Sequence, residues 1–170
     1  MLALEIRSRK AGFAVFEGAT GLLDWGVRWF EIKNQPLKAA VSKRIGALLS
    51  LHRPSVVVAR RQNYYSARSK RRFGTILRSI RAETKWHSAR FALLPPRKVQ
   101  RQFAWRAHTT KHEVAVGLAE RFPELAWKLP RPKKFYQSEA STMVIFDAVA
   151  TGAAFLGRKA SGNGIVQPVP

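Results

Sequence analysis

The chain has 170 residues, 46% of them hydrophobic, which suits one ordinary domain with a real core. Thirty-one Lys and Arg face ten Asp and Glu, giving a formal net charge of +21, and a compact domain so unbalanced calls for a polyanionic partner. The lack of cysteine excludes disulfides, Cys-based zinc sites and thiol nucleophiles, and no apolar run reaches the ~18 residues of a membrane span.

The opening thirty residues read as a β-meander. Met1 to Ile6 is an apolar strand rather than a signal peptide, Gly12 to Phe16 follows a short basic turn (Arg7, Ser8, Arg9, Lys10), and Leu22 to Phe30 follows Gly18 and Gly21. Pro36 opens an amphipathic helix with Leu37, Val41, Ile45 and Leu49 at four-residue spacing, and Pro54 ends it. Val56, Val57 and Val58 then form the continuous β-branched run of a strand buried on both faces. Residues 66 to 86 form a second helix, apolar at Phe73, Ile76, Leu77 and Ile80 and basic at Arg71, Arg78, Arg81 and Lys85.

Phe91 to Leu94 is a short strand stopped by Pro95 and Pro96, and Lys98 to Phe103 a brief helix. Thr110 caps a longer helix carrying Val114, Leu118 and Phe122. The segment Pro123 to Lys134, with three prolines, is expected to be irregular, and Ser138 to cap a last helix carrying Met143, Phe146, Ala150 and Ala153. The order β-β-β-α-β-α-β-α-α gives an α/β fold, a mixed five-stranded sheet of three antiparallel then parallel strands with helices on both faces. One domain over residues 1–156 is expected, followed by a flexible Gly/Ser/Pro-containing tail over 157–170.

From Arg53 to Lys111 sixteen Lys or Arg stand against one acid, Glu83, whereas an ordinary solvated face mixes signs. Arg dominates, and its fork matches phosphate geometry, which favours nucleic acid over an acidic protein or membrane surface. The candidate contacts are Arg7, Arg9, Lys10, Arg60, Arg61, Arg68, Lys70, Arg71, Arg72, Arg78, Arg81, Arg101, Arg106 and Lys111, with Tyr64 and Tyr65 to stack on unpaired bases. His108 and His112 share a helical face, but no Glu accompanies them in the metalloprotease arrangement. The stretch Gly152 to Gly157 lacks the Lys-Ser/Thr ending of a phosphate loop and follows a helix.

Ordered short segments carry a closer likeness. Leu2-Ala3-Leu4-Glu5-Ile6, the polar turn and Gly12-Phe13-Ala14-Val15 resemble the opening of RuvC-type Holliday-junction resolvases, of the RNase H-like superfamily. Pro54 with its β-branched strand, Pro96-Arg97-Lys98-Val99, Thr110-Lys111-His112-Glu113-Val114 and Phe146-Asp147-Ala148-Val149-Ala150 are similar to later family segments, so the likeness spans roughly residues 1 to 156. It implies two-metal phosphodiester hydrolysis with Mg²⁺ or Mn²⁺. Glu5 takes the first-strand acid position and Asp147 that of the last helix, both as metal ligands, with Glu139 a further catalytic candidate. The family's central-strand Glu falls on Arg60 and its second last-helix acid on Val144, so two of four expected ligands are absent.

The expectation is a nucleic-acid-binding protein recognising branched or structured DNA, favoured over RNA, with impaired catalysis and no cofactor. Arg60 would then be the counter-charge to Glu5 and Asp147. An active Mg²⁺/Mn²⁺-dependent structure-selective endonuclease and a basic RNA-binding component of a ribonucleoprotein particle are the alternatives. The likeness also implies a homodimer, and a cytoplasmic protein, nucleoid-associated if bacterial, is expected, with no membrane partner.

Overall fold

The computed structural model of the chain describes residues 1–63, 66–103, 110–132 and 138–160. Its strands are β1 (Leu2–Ile6), β2 (Lys10–Glu17), β3 (Gly21–Trp29), β4 (Val56–Arg60) and β5 (Arg90–Leu94). Its helices are α1 (Leu37–His52), α2 (Ala67–Trp86), α3 (Pro96–Gln102), α4 (Lys111–Arg121) and α5 (Met143–Ala160), with a 3-10 segment at Pro123–Lys128. The sheet order is β3-β2-β1-β4-β5, antiparallel through β3, β2 and β1 and parallel through β1, β4 and β5. This is the expected mixed sheet.

Two cores hold helices to its two faces. Leu2, Leu4, Ile6, Val57 and Ala59 pack with Val41, Ile45 and Leu49 of α1 and Phe73, Ile76 and Ile80 of α2. Ala3 and Val58 face the other way, against Phe146, Val149 and Ala153 of α5 and Leu118 of α4. The two-residue period of a strand thus assigns Glu5 the α5 side with Ala3, and Arg60 the same side with Val58. The parallel register Ala3↔Val58 and Leu4↔Ala59 brings those two side chains abreast.

Helix α5 lies against β2 with no room to spare. A Cβ on Gly12 would fall 2.1 Å from the Val144 carbonyl oxygen, and one on Gly152 would fall 2.2 Å from the Phe16 ring. Gly12 is also the β-ladder partner of Glu5. Its bare backbone therefore lets α5 settle where Asp147, one helical turn past Val144, reaches the end of β1. Gly12→Ala should cost about 1–3 kcal/mol or more, because backbone rather than a flexible side chain must yield; chemical denaturation measures it.

Several boundaries differ from the sequence expectation. Helix α5 begins at Met143 rather than near Ser138, because residues 138–141 are exposed and offer no apolar face to bury. It runs to Ala160, so helix continues past 156, and residues 161–170 lie outside the described ones. The segment expected to be irregular contains a 3-10 helix started by Pro123 and anchored by buried Leu125. Helix α3 starts earlier, at Pro96, where proline's fixed φ suits a first helical position. Thr110 caps α4 as expected, in a capping box with Glu113.

Candidate functional site

At the carboxyl ends of β1 and β4 three carboxylates and three cations converge. Glu5 is fully buried. Arg60 forks onto it, Nε donating to Oε2 at 3.0 Å and Nη2 to Oε1 at 2.7 Å, and Gln62 Nε2 donates to Oε1 at 2.6 Å. Asp147 accepts from Arg7 Nη2 at 2.6 Å and from Lys111 Nζ at 3.4 Å, with Arg60 Nη2 at 3.8 Å. Glu139, just ahead of α5, accepts from Lys111 Nζ at 2.5 Å and lies 3.6 Å from Arg7. Arg7 also stands 3.5 Å from Glu5, tying the group together.

The expected counter-charge is therefore present, with its partners divided otherwise than the sequence implied. Arg60 serves Glu5 first, and the nearest cation to Asp147 is Arg7. Glu5, Asp147 and Glu139 do converge. Arg7 and Lys111, expected as phosphate contacts, sit inside the cleft as ion-pair partners, and Gln62 joins them unforeseen.

Burial pushes the Glu5 carboxyl above its ordinary 4.5; Arg60 pulls it down and the Asp147 charge pushes it up again. Burial works against the Arg60 charge, yet Glu5 outweighs it and holds that guanidinium above its ordinary range. A raised carboxyl takes up a proton on folding, so its stabilising share is complete below 4.5 and lost as pH rises through the folded value. Glu5→Gln cannot titrate. Urea titrations across this range should show wild-type stability falling with pH relative to Glu5→Gln.

These residues do not fit a divalent ion. Mg²⁺ and Mn²⁺ require free, hard oxygen ligands. Here Glu5, Asp147 and Glu139 are each bonded to a guanidinium or ammonium, and an ion between them would lie against Arg60, Arg7 and Lys111. Among the described residues no group of three or more His, Asp or Glu is placed to hold a metal.

Much of the remaining surface is basic. Arg9, Arg61, Arg68, Lys70, Arg71, Arg78, Arg81 and Arg101 are exposed, while Lys10 and Arg72 are half-buried. Arg72 Nε donates to the Ser8 carbonyl at 2.8 Å and fixes α2 to the β1–β2 turn. Between that turn and α2 lies a cavity of about 360 Å³ lined by Arg7, Ser8, Gln62, Arg68 and Arg72, continuous with the acid–base cluster through Arg7. Arg72 Nη2 is buried there without a hydrogen-bond partner among the described residues. Tyr64, Tyr65 and Arg106 lie outside the described residues.

No family model and no curated protein matches the sequence. Solved structures do match in fold. RuvC of T. thermophilus in complex with Holliday junction substrate superposes with a TM-score of 0.74 at 18% identity, over 95% of this chain and 96% of that one. The yeast mitochondrial Holliday junction resolvase gives 0.68 at 14%, over 94% and 78%. The Fowlpox virus resolvase with substrate Holliday junction DNA gives 0.55 at 12%, over 92% and 98%. The fold is RuvC-like.

Proposed function

We propose that this protein binds branched DNA through a RuvC-like fold and holds the junction without cutting it. One observation carries the reading: Arg60 lies along Glu5 in the cleft where the resembled resolvases place metal-binding acids, and Arg7 and Lys111 neutralise Asp147 and Glu139. Each cation occupies a carboxylate that a metal would need, so the cleft offers metal no free ligand and no longer repels phosphate. The junction complexes among the structures of like fold support a branched DNA substrate.

A gel assay with labelled four-way junction, duplex, single strand and RNA tests this, run with Mg²⁺, with Mn²⁺ and with chelator. Tight, salt-sensitive junction binding that chelator leaves unchanged is the expected result. Metal-dependent nicking that Asp147→Asn abolishes would overturn it and restore the nuclease. Preference for RNA over every DNA would favour the ribonucleoprotein alternative.

The exposed face of α2 should bind phosphates. Arg71→Glu with Arg78→Glu, which spares the Arg72 tether, should weaken junction binding at least tenfold. The slope of log affinity against log salt should flatten by about 0.9 for each phosphate the variant no longer neutralises. Anisotropy at several salt concentrations reads both effects.

A further inference from the structure

The free edge of the sheet, β3, carries a surface that the cleft does not use. Trp25, Val27 and Trp29 share one face by the strand's two-residue period, and Trp25 and Val27 lean on the α5-side core. Trp127, from the 3-10 segment, packs against Trp25 with ring centroids 5.6 Å apart and planes tilted by 57°. Yet Trp127 is 72% exposed and Trp29 is 53% exposed. Lys128 Nζ lies 3.9 Å over the Trp127 ring and Lys10 Nζ 4.7 Å over the Trp29 ring. A groove of about 310 Å³ joins these ends, with Val27, Thr142 and Ile145 along it.

Indoles left in water do not serve the core, and a lysine at each end selects what covers them. A second copy of the chain would bring the same lysines and the same +21 charge against them. A nucleotide strand brings both complements: a phosphate that draws each ammonium off its ring, and a base for the ring face so freed.

Two of the groove's lining residues, Lys10 and Ser141, are chain neighbours of the acid–base cluster. The Arg7 amide donates to the Lys10 carbonyl at 2.8 Å, and Lys10 Nζ donates to the Ser141 carbonyl at 3.3 Å. Ser141 is two residues from Glu139, which lies 3.6 Å from Arg7. We propose that the groove lined by Trp25, Trp29, Lys10 and Lys128, together with the exposed Trp127 ring packed on Trp25, binds an unpaired DNA strand leaving the branch point held in the cleft. The inference rests on reading the cleft as a junction-binding site.

The test uses anisotropy with three probes: a closed four-way junction, the same junction with an oligothymidine tail on one arm, and the oligothymidine alone. The tail should strengthen wild-type binding about tenfold or more, the scale of one or two stacked bases. Trp29→Ala with Trp127→Ala should abolish that increment and leave closed-junction affinity within twofold, while Trp29→Phe with Trp127→Phe keeps most of it. A tail that adds nothing to wild-type affinity overturns the proposal, as does an alanine pair that weakens closed and tailed junctions equally. Sedimentation showing the alanine pair turning a wild-type dimer into monomer would give the face to a second copy instead. Should the closed junction fail to bind while oligothymidine binds through these tryptophans, the cleft reading falls and the groove stands.

Discussion

Glu5→Ala will cost about 3–5 kcal/mol of folding stability, the scale for removing one partner of a buried ion pair. For a chain of this length that is a fall of roughly 10 °C in Tm. The loss comes from what remains behind: Arg60 keeps its charge, loses two charge-assisted hydrogen bonds, and is left with Asp147 at 3.8 Å and the more distant Glu139. Asp147 itself stays served by Arg7 and Lys111. Removing both members of the pair should therefore behave differently. Glu5→Leu with Arg60→Met should recover most of the deficit or exceed the wild type, since replacing a buried pair with apolar groups of similar volume is often neutral or stabilising. Calorimetric melting of wild type, single and double variants measures all three. A single variant within 1 kcal/mol of wild type would mean the pair is solvated and weak.

Opening the cleft to metal is the other large effect. Wild-type protein should show no Mn²⁺ uptake by calorimetry, because its three carboxylates are already matched by three cations. Arg60→Glu with Arg7→Ala leaves four carboxylates facing Lys111 alone, and should bind Mn²⁺ at roughly millimolar strength. The variant's own repulsion will lower its stability, which makes the melting temperature a second readout. Adding Mn²⁺ should raise it for the variant and leave wild type unmoved, as binding to the folded form alone requires. No uptake by the variant would show that the carboxylates are too far apart to share an ion, whatever the charge.

Much of this arrangement was legible in the sequence because it rests on short-range periods. The Val56 to Val58 run marked a doubly buried strand, and both Glu5 and Arg60 follow from strand alternation once the parallel pairing is known. Asp147 in an apolar helix demanded a counter-charge. Which cation supplied it was not legible. Arg7 sits in a turn whose path the sequence leaves open, and Lys111 is 36 residues from Asp147, joined to it only by tertiary packing. The start of α5 is not legible from Ser138, which has the chemistry of a cap, because the burial that decides helix onset begins at Met143. The grouping of the β3 tryptophans with Trp127 is not legible in the sequence, since Trp127 joins Trp25 across about a hundred residues of chain.

The close seating of α5 on β2 has an evolutionary consequence. Because Gly12 and Gly152 leave the backbone no slack, the positions bearing Glu5 and Asp147 keep their spacing whichever side chains stand around them. Any route between cutting and non-cutting forms of such a cleft is then a matter of side-chain exchange on an unmoved frame. Taken one step at a time it is uneven. Arginine entering beside Glu5 relieves a repulsion at once, whereas reversing that step first places another acid beside a buried one with no ion yet bound.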